Sequence, residues 1–136
     1  MDKPIKIVLV DDNATFLEGL ASIIRKRKNL EIIGQYLSGD ELLRGVKYPN
    51  ANIILLDIEM PGMNGIETAR RINFYFPKIK TIAITMYQDQ VYLQQLIEAG
   101  FKGFVNKTMV GETLFQVIDD VMEDQFSFPG DIELDD

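Results

Sequence analysis

The sequence contains no cysteine, no histidine and no tryptophan among its 136 residues. Without cysteine there is no disulfide, no thiol nucleophile and no thiolate-held zinc, and without histidine there is no imidazole acid–base catalyst. Any chemistry therefore runs on carboxylates, hydroxyls, lysine or arginine. Long hydrophobic runs are missing too: stretches such as Ile53 to Leu56 are far too short to span a bilayer, and the Met1-Asp2-Lys3 start has no signal-peptide pattern. A cytoplasmic protein with no membrane partner is expected. An excess of positive charge is also absent. Lys plus Arg number 14 against 21 Asp plus Glu, and the net charge of −7 would repel phosphate backbones, which makes this chain alone a poor nucleic-acid binder.

What is present is a globular composition, 46% hydrophobic and 26% charged, at a length that fits one domain. Five short apolar runs recur with helical patterns between them: Ile5 to Val10, Glu31 to Leu37, Asn52 to Leu56, Lys80 to Ile84 and Gly103 to Val105. Ile7-Val8-Leu9-Val10, Ile53-Ile54-Leu55-Leu56 and Ile82-Ala83-Ile84 are almost continuously apolar, as strands buried on both faces of a parallel sheet must be. The expected architecture is α/β, a doubly wound five-stranded parallel sheet in the order 2-1-3-4-5 with helices on both faces.

Thr15-x-x-Glu18 has the capping-box pattern and predicts the start of the first helix, whose last turn would carry the basic run Arg25 to Lys28, read as a solvated face. Ser38-x-x-Glu41 predicts a second helix, with Val46 on its apolar side and Pro49 helping to end the segment; Asn64 opens a third that stops at Pro77. A fourth is predicted from about Asp89 to Ala99, ending at Gly100, and a fifth from near Thr108 with Leu114, Val117, Ile118 and Val121 facing the core. Asp119, Asp120, Glu123 and Asp124 crowd toward the end of that last helix, where the dipole disfavours acids, and nothing in the sequence explains them. Residues 1–124 are read as the domain. Residues 125–136, with a Pro-Gly breaker and four acids in the last six positions, are read as an acidic tail or the start of a linker.

Ligands of an open parallel sheet bind outside the carboxyl ends of the strands, where the strand order reverses. The first strand exits into Asp11-Asp12, the third into Asp57, the fourth into Thr85 and the fifth into Asn106-Lys107. The expected order makes the first and third strands neighbours and gathers these residues into one site. Three carboxylates so placed call for a hard cation, and an all-oxygen donor set suits Mg²⁺. A Lys, a hydroxyl and a free carboxylate beside such a metal suit a phosphoryl group, with Asp57 the natural nucleophile because it is ionised without a general base.

The runs Val8-Leu9-Val10-Asp11-Asp12, Leu55-Leu56-Asp57-Ile58-Glu59-Met60-Pro61-Gly62-Met63-Asn64-Gly65, Ile84-Thr85 and Gly103-Phe104-Val105-Asn106-Lys107 resemble, in order and spacing, the receiver domain of two-component response regulators, over about residues 4–124. The resemblance implies a flavodoxin/CheY-like (βα)5 fold and a self-phosphorylating phosphoacceptor, with autophosphatase activity left open. It implies that a sensor histidine kinase or a phosphotransfer protein donates a phosphoryl group to Asp57, and that Mg²⁺ sits on Asp12, Asp57, the backbone carbonyl of Glu59 and, partly through water, Asp11. Thr85 and Lys107 would contact the phosphoryl oxygens. Thr85 and Phe104 would act as switch residues that remodel the face made by the fourth helix, fifth strand and fifth helix, and Glu59 with Tyr87 would tune the lifetime of the phosphorylated state. Phe104 stands where Tyr is common, and Thr108 follows Lys107 where many receivers have Pro after a cis bond; a trans bond or a different loop is expected here.

The stretch from Thr85 through Phe104, together with Gln125-Phe126-Ser127-Phe128-Pro129, looks like the NarL/FixJ-type transcription regulators. That branch implies DNA contact only through a C-terminal helix-turn-helix domain outside these residues, and makes a homodimer plausible. The alternatives are a single-domain receiver that signals by docking and a receiver-like module that never accepts phosphate. A haloacid-dehalogenase-type phosphatase would want Asp-x-Asp after the first strand, and a nucleotide or flavin module a glycine-rich first loop; Asp11-Asp12-Asn13 is neither.

Overall fold

Each apolar run becomes a strand. In the computed structural model, which describes residues 3–45, 48–60, 64–86 and 90–129, strands β1 (Ile5–Val10), β2 (Leu30–Tyr36), β3 (Ile53–Asp57), β4 (Lys80–Thr85) and β5 (Gly103–Asn106) alternate with helices α1 (Ala14–Ile24), α2 (Gly39–Arg44), α3 (Gly65–Tyr75), α4 (Gln90–Glu98) and α5 (Val110–Met122). All strand pairs are parallel and the order is β2-β1-β3-β4-β5, as expected. The pleat sends alternate side chains to opposite faces. Ile7, Leu9, Ile53, Leu55, Ile82, Ile84 and Val105 meet α1 and α5 through Leu17, Leu20, Ile24, Leu114 and Ile118. Val8, Val10, Ile54, Leu56, Ala83 and Phe104 meet the other three helices through Leu42, Ala69, Ile72, Leu93 and Leu96. The unbroken apolar runs are thus two interleaved alternations, each with its own helical cover. Burying one such Leu or Ile contributes about 1.5–3 kcal/mol before entropy, so Leu55→Ala, at the centre of the sheet, would weaken the layer facing α1 and α5.

Several local expectations are corrected. Thr15 is not the cap of α1: Asn13 is, its side chain accepting the Phe16 N–H at 3.0 Å, because the chain enters the helix directly from the turn after β1. Helix α1 ends at Ile24 with Arg25 as its C-cap, so the basic run follows the helix instead of forming its last turn. Helix α2 ends at Arg44, while Pro49 lies in a separate 3-10 turn, Tyr48–Asn50; Val46 falls outside the described residues. Lys107–Met109 form a 3-10 turn before α5, which therefore starts at Val110 and not near Thr108. Ser38 and Asn64 cap α2 and α3 as expected, each accepting a backbone N–H at 3.0 Å. Gly100 closes α4 with φ +101°, a conformation that a side chain would strain. No peptide bond among the described residues is cis, that before Thr108 included.

Three of the acids near the end of α5 have side-chain partners. Asp119 receives Arg27 at 3.0 Å, Asp120 accepts hydrogen bonds from Gln116 and Ser127, and Asp124 pairs with Lys80. For Asp119 and Asp124, tertiary ion pairs thus offset the unfavourable dipole.

Candidate functional site

The turn after β1 is built by its own polar side chains. Asp11 Oδ1 accepts the Asn13 N–H at 2.8 Å, Asn13 then caps α1, and this Asx turn leaves Asp12 exposed at the rim while Asp11 is 1% exposed. Asp57 is the last residue of β3, pairs in register with Ile84, and is 3% exposed. Its Oδ1 lies 3.4 Å from the Glu59 N–H, which donates to it. Helix α3 starts against the same backbone: a Cβ on Gly65 would lie 2.4 Å from the Asp57 carbonyl oxygen, so only glycine permits this approach. On the far side Asn106 Oδ1 accepts from the Thr108 N–H and hydroxyl at 2.9 and 2.7 Å, which folds the chain into the 3-10 turn that holds Lys107.

Lys107 reaches back across the sheet edge. Its Nζ lies 2.8 Å from Asp11 Oδ2 and 3.7 Å from Asp57 Oδ1, and 4.6 Å from the centre of the Phe16 ring. Among the described residues, Lys107 is thus the cation that faces the three carboxylates Asp11, Asp12 and Asp57. Burial pushes the Asp57 carboxyl up to about 6, and the Asp11 and Asp12 charges push the same way, while Lys107 and the Glu59 N–H pull it down. For Lys107, burial alone would lower the pKa, but the bond to Asp11 and the attraction of all three carboxylates outweigh it and leave the ammonium above its ordinary value. The group is short of positive charge.

The residues fit a divalent cation. Asp11, Asp12 and Asp57 each offer a carboxylate oxygen, all within 4.8 Å of one another. Asp11 Oδ2 is buried and accepts no hydrogen bond beyond its ion pair with Lys107. An oxygen-only set of this kind suits Mg²⁺ and excludes softer metals.

The sequence-predicted residues do not all share one surface. Asp12, Asp57, Glu59 and Lys107 line an open cavity of about 550 Å³ together with Asn13, Ala14 and Met86. Thr85, at the end of β4, and Asp11 are each 1% exposed and do not line it. Phe104 is buried on the α2–α3–α4 side of the sheet and borders a different cavity, beside α5. Tyr87 lies outside the described residues. Sequence reasoning missed Asn13, whose role as both cap and cavity wall the Asp-Asp-Asn run could have signalled, and Phe16 as the ring beneath Lys107, which no local pattern signals.

The family model of the response regulator receiver domain matches residues 7–119. The chain belongs to that family. The receiver is 32% identical over 114 residues to the transcriptional regulatory protein LnrK of Bacillus subtilis, covering 84% of this chain and 52% of that protein. It superposes on a LuxR-family two-component response regulator from Aurantimonas with a TM-score of 0.87 at 26% identity, covering 96% and 93% of the two chains. With the non-phosphorylated receiver domain of Escherichia coli RcsB it shares the fold, at TM-score 0.86 and 19% identity over 93% and 99%. The receiver spans about half the length of the curated relatives it matches. Membership is consistent with phosphorylation-based two-component signalling. No helix among the described residues is long and apolar enough to cross a membrane.

Proposed function

We propose that this receiver accepts a phosphoryl group on Asp57 from the phosphohistidine of a sensor histidine kinase or phosphotransfer protein, and passes the change to a DNA-binding output domain outside these residues. The observation that carries this reading is Asp57 itself: a buried carboxylate at the floor of an open cavity, held up to about 6 and still ionised at neutral pH, beside a single lysine. A carboxylate oxygen of Asp57 attacks phosphorus, the P–N bond breaks with its electron pair going to the imidazole, and an acyl phosphate forms. Lys107 neutralises charge on the transferred oxygens, with the Thr85 hydroxyl as second donor. Asp11, Asp12, Asp57 and the Glu59 carbonyl would hold Mg²⁺, which when bound offsets the carboxylate repulsion and the phosphate charge. Thr85 and Phe104 serve as the switch pair. Glu59 on the cavity wall and Tyr87 tune hydrolysis, so Glu59→Asn and Tyr87→Ala should alter the dephosphorylation rate.

The reading is tested by incubating the protein with Mg²⁺ and acetyl phosphate and recording its intact mass, with Asp57→Asn alongside. One added phosphoryl group in the wild type, none in the variant and none with a chelator is the expected result. Failure to form any adduct, with beryllofluoride also unbound, would leave a receiver-shaped docking module. An acidic chain that spans half of its transcription-regulator relatives supports placing the DNA contacts elsewhere.

A further inference from the structure

The edge of β5 is not open. After α5 the chain reverses at Asp124, whose φ of +61° is a left-handed conformation that Asp tolerates better than most residues, and an ion pair with Lys80 holds the turn. The next residues run parallel to β5. The Ser127 N–H donates to the Lys102 carbonyl and the Phe104 N–H donates to the Ser127 carbonyl, both at 2.9 Å, and the Ser127 hydroxyl donates to Asp120 at 2.9 Å. Lys102 Nζ lies over the Phe126 ring at 5.1 Å, and Phe128 packs against the core layer that contains Phe104. Residues 125–129 thus add a short strap to an edge strand whose N–H and C=O groups would otherwise face solvent.

The strap and the acidic site share one short strand. Four residues form β5, with Lys102 and Phe104 holding the strap at one end and Lys107 leaving the other end for Asp11 and Asp57. Asn106 serves both: its side chain folds the turn that aims Lys107, and it borders the cavity of about 570 Å³ that Phe104, Phe128 and Pro129 also line. Lys107 sits closer to Asp11 than to Asp57, so a phosphoryl group on Asp57 would draw the ammonium toward itself and pull on Asn106.

We propose that residues 125–129 are a latch, docked on β5 while Asp57 is unmodified and released when Asp57 carries a phosphoryl group, with Lys107 and Asn106 as the link. The proposal rests on the acceptor reading of Asp57. The latch is held by two main-chain hydrogen bonds, to Lys102 and Phe104, by the Ser127 hydroxyl on Asp120, by Lys102 over the Phe126 ring and by one inward aromatic ring. With one bridge to β5 and none of its residues fully buried, it belongs to the part of the fold that opens most easily. Linkage makes the coupling reciprocal: the factor by which loading of Asp57 favours the open latch is the factor by which an open latch tightens binding at Asp57.

The test is amide hydrogen exchange of the full chain by NMR, with and without Mg²⁺ and beryllofluoride, with ¹⁹F spectra reporting occupancy of the site. Exchange at Phe104 and Ser127 should rise by about tenfold on loading, within the usual range of such couplings, while Leu55 in the central strand stays unchanged. Ser127→Pro, which removes the N–H given to Lys102, and Phe128→Ser should each tighten beryllofluoride binding by about the same tenfold, with Leu55 exchange confirming that the variants fold. Unchanged or slower exchange in a site shown to be loaded would overturn the latch and leave the acceptor reading intact. An unloaded site, even with Mg²⁺ present, would sink the acceptor reading and the coupling with it.

Discussion

Two acidic clusters of this small domain have opposite fates. At the carboxyl ends of the strands, Asp11, Asp12 and Asp57 share one lysine, and burial with mutual repulsion holds Asp57 well above the ordinary carboxylate range. Around the end of α5, Asp119, Asp120 and Asp124 are near the surface and each has a partner: Arg27, Ser127 with Gln116, and Lys80. There the Lys80 ammonium holds the Asp124 carboxyl below its usual value. Residue type is the same in both places. The difference is the ratio of cations to carboxylates and the amount of water left to solvate them, and the cluster left short of both is the one whose charge a bound metal ion could offset.

The largest effect should come from removing Lys107, the cation that the described residues bring to the first cluster. Lys107→Met leaves Asp11 buried and unpaired, and by the usual cost of breaking a buried pair it should lower unfolding stability by about 3 kcal/mol. Urea denaturation at pH 7 checks it, and a midpoint equal to wild type would mean that Asp11 finds another donor. Next in size is the opposite change. The folded pKa of Asp57, about 6, exceeds its unfolded value of 3.8, so folding favours the protonated form. The wild type therefore loses stability as pH rises from about 4 through 6, a penalty fully present above that window. Asp57→Asn removes the charge and should stabilise the protein by at most about 3 kcal/mol at pH 7.5 and by nearly nothing near pH 3.5. Parallel denaturation curves with a pH-independent gap would contradict this account.

Adding Mg²⁺ should bring the first cluster closer to the second in behaviour. At about ten times its dissociation constant the ion should stabilise the wild type by about 1.4 kcal/mol, and Asp12→Ala should lose most of that gain. Calorimetric melts with and without Mg²⁺ decide it; equal shifts in both proteins would remove Asp12 from the ligand set. The smallest effect belongs to the second cluster. Arg27→Ala breaks a half-exposed pair with Asp119 and should cost less than about 1 kcal/mol, falling further in high salt. A larger, salt-independent loss would show that the stacking of Arg27 on Phe115, 5.0 Å from the ring centre, matters more than its charge.

Much of the site was legible from the strand ends. Asp11, Asp12, Asp57 and Lys107 converge because continuous apolar runs mark strands buried on both faces, and a parallel sheet sends every exit to one edge. Thr85 shared that signal and ends β4, and like Asp11 it is buried and does not line the cavity surface. Ser38 and Asn64 were readable as caps because a cap is a contact over three residues; Thr15 misled because the turn after β1 had already supplied Asn13.

The sequence by itself therefore determined what repeats locally: the five strands and helices, their two buried faces, and the acidic character of the strand exits. The tertiary structure alone decided which charges meet. Arg27 and Asp119 are 92 residues apart, Lys80 and Asp124 are 44 apart, and Ser127 returns to Lys102 and Phe104 only once α5 has packed on β5. No periodicity encodes such pairings, because local patterns fix which face a side chain takes, whereas its neighbour on that face is set by how the layers dock.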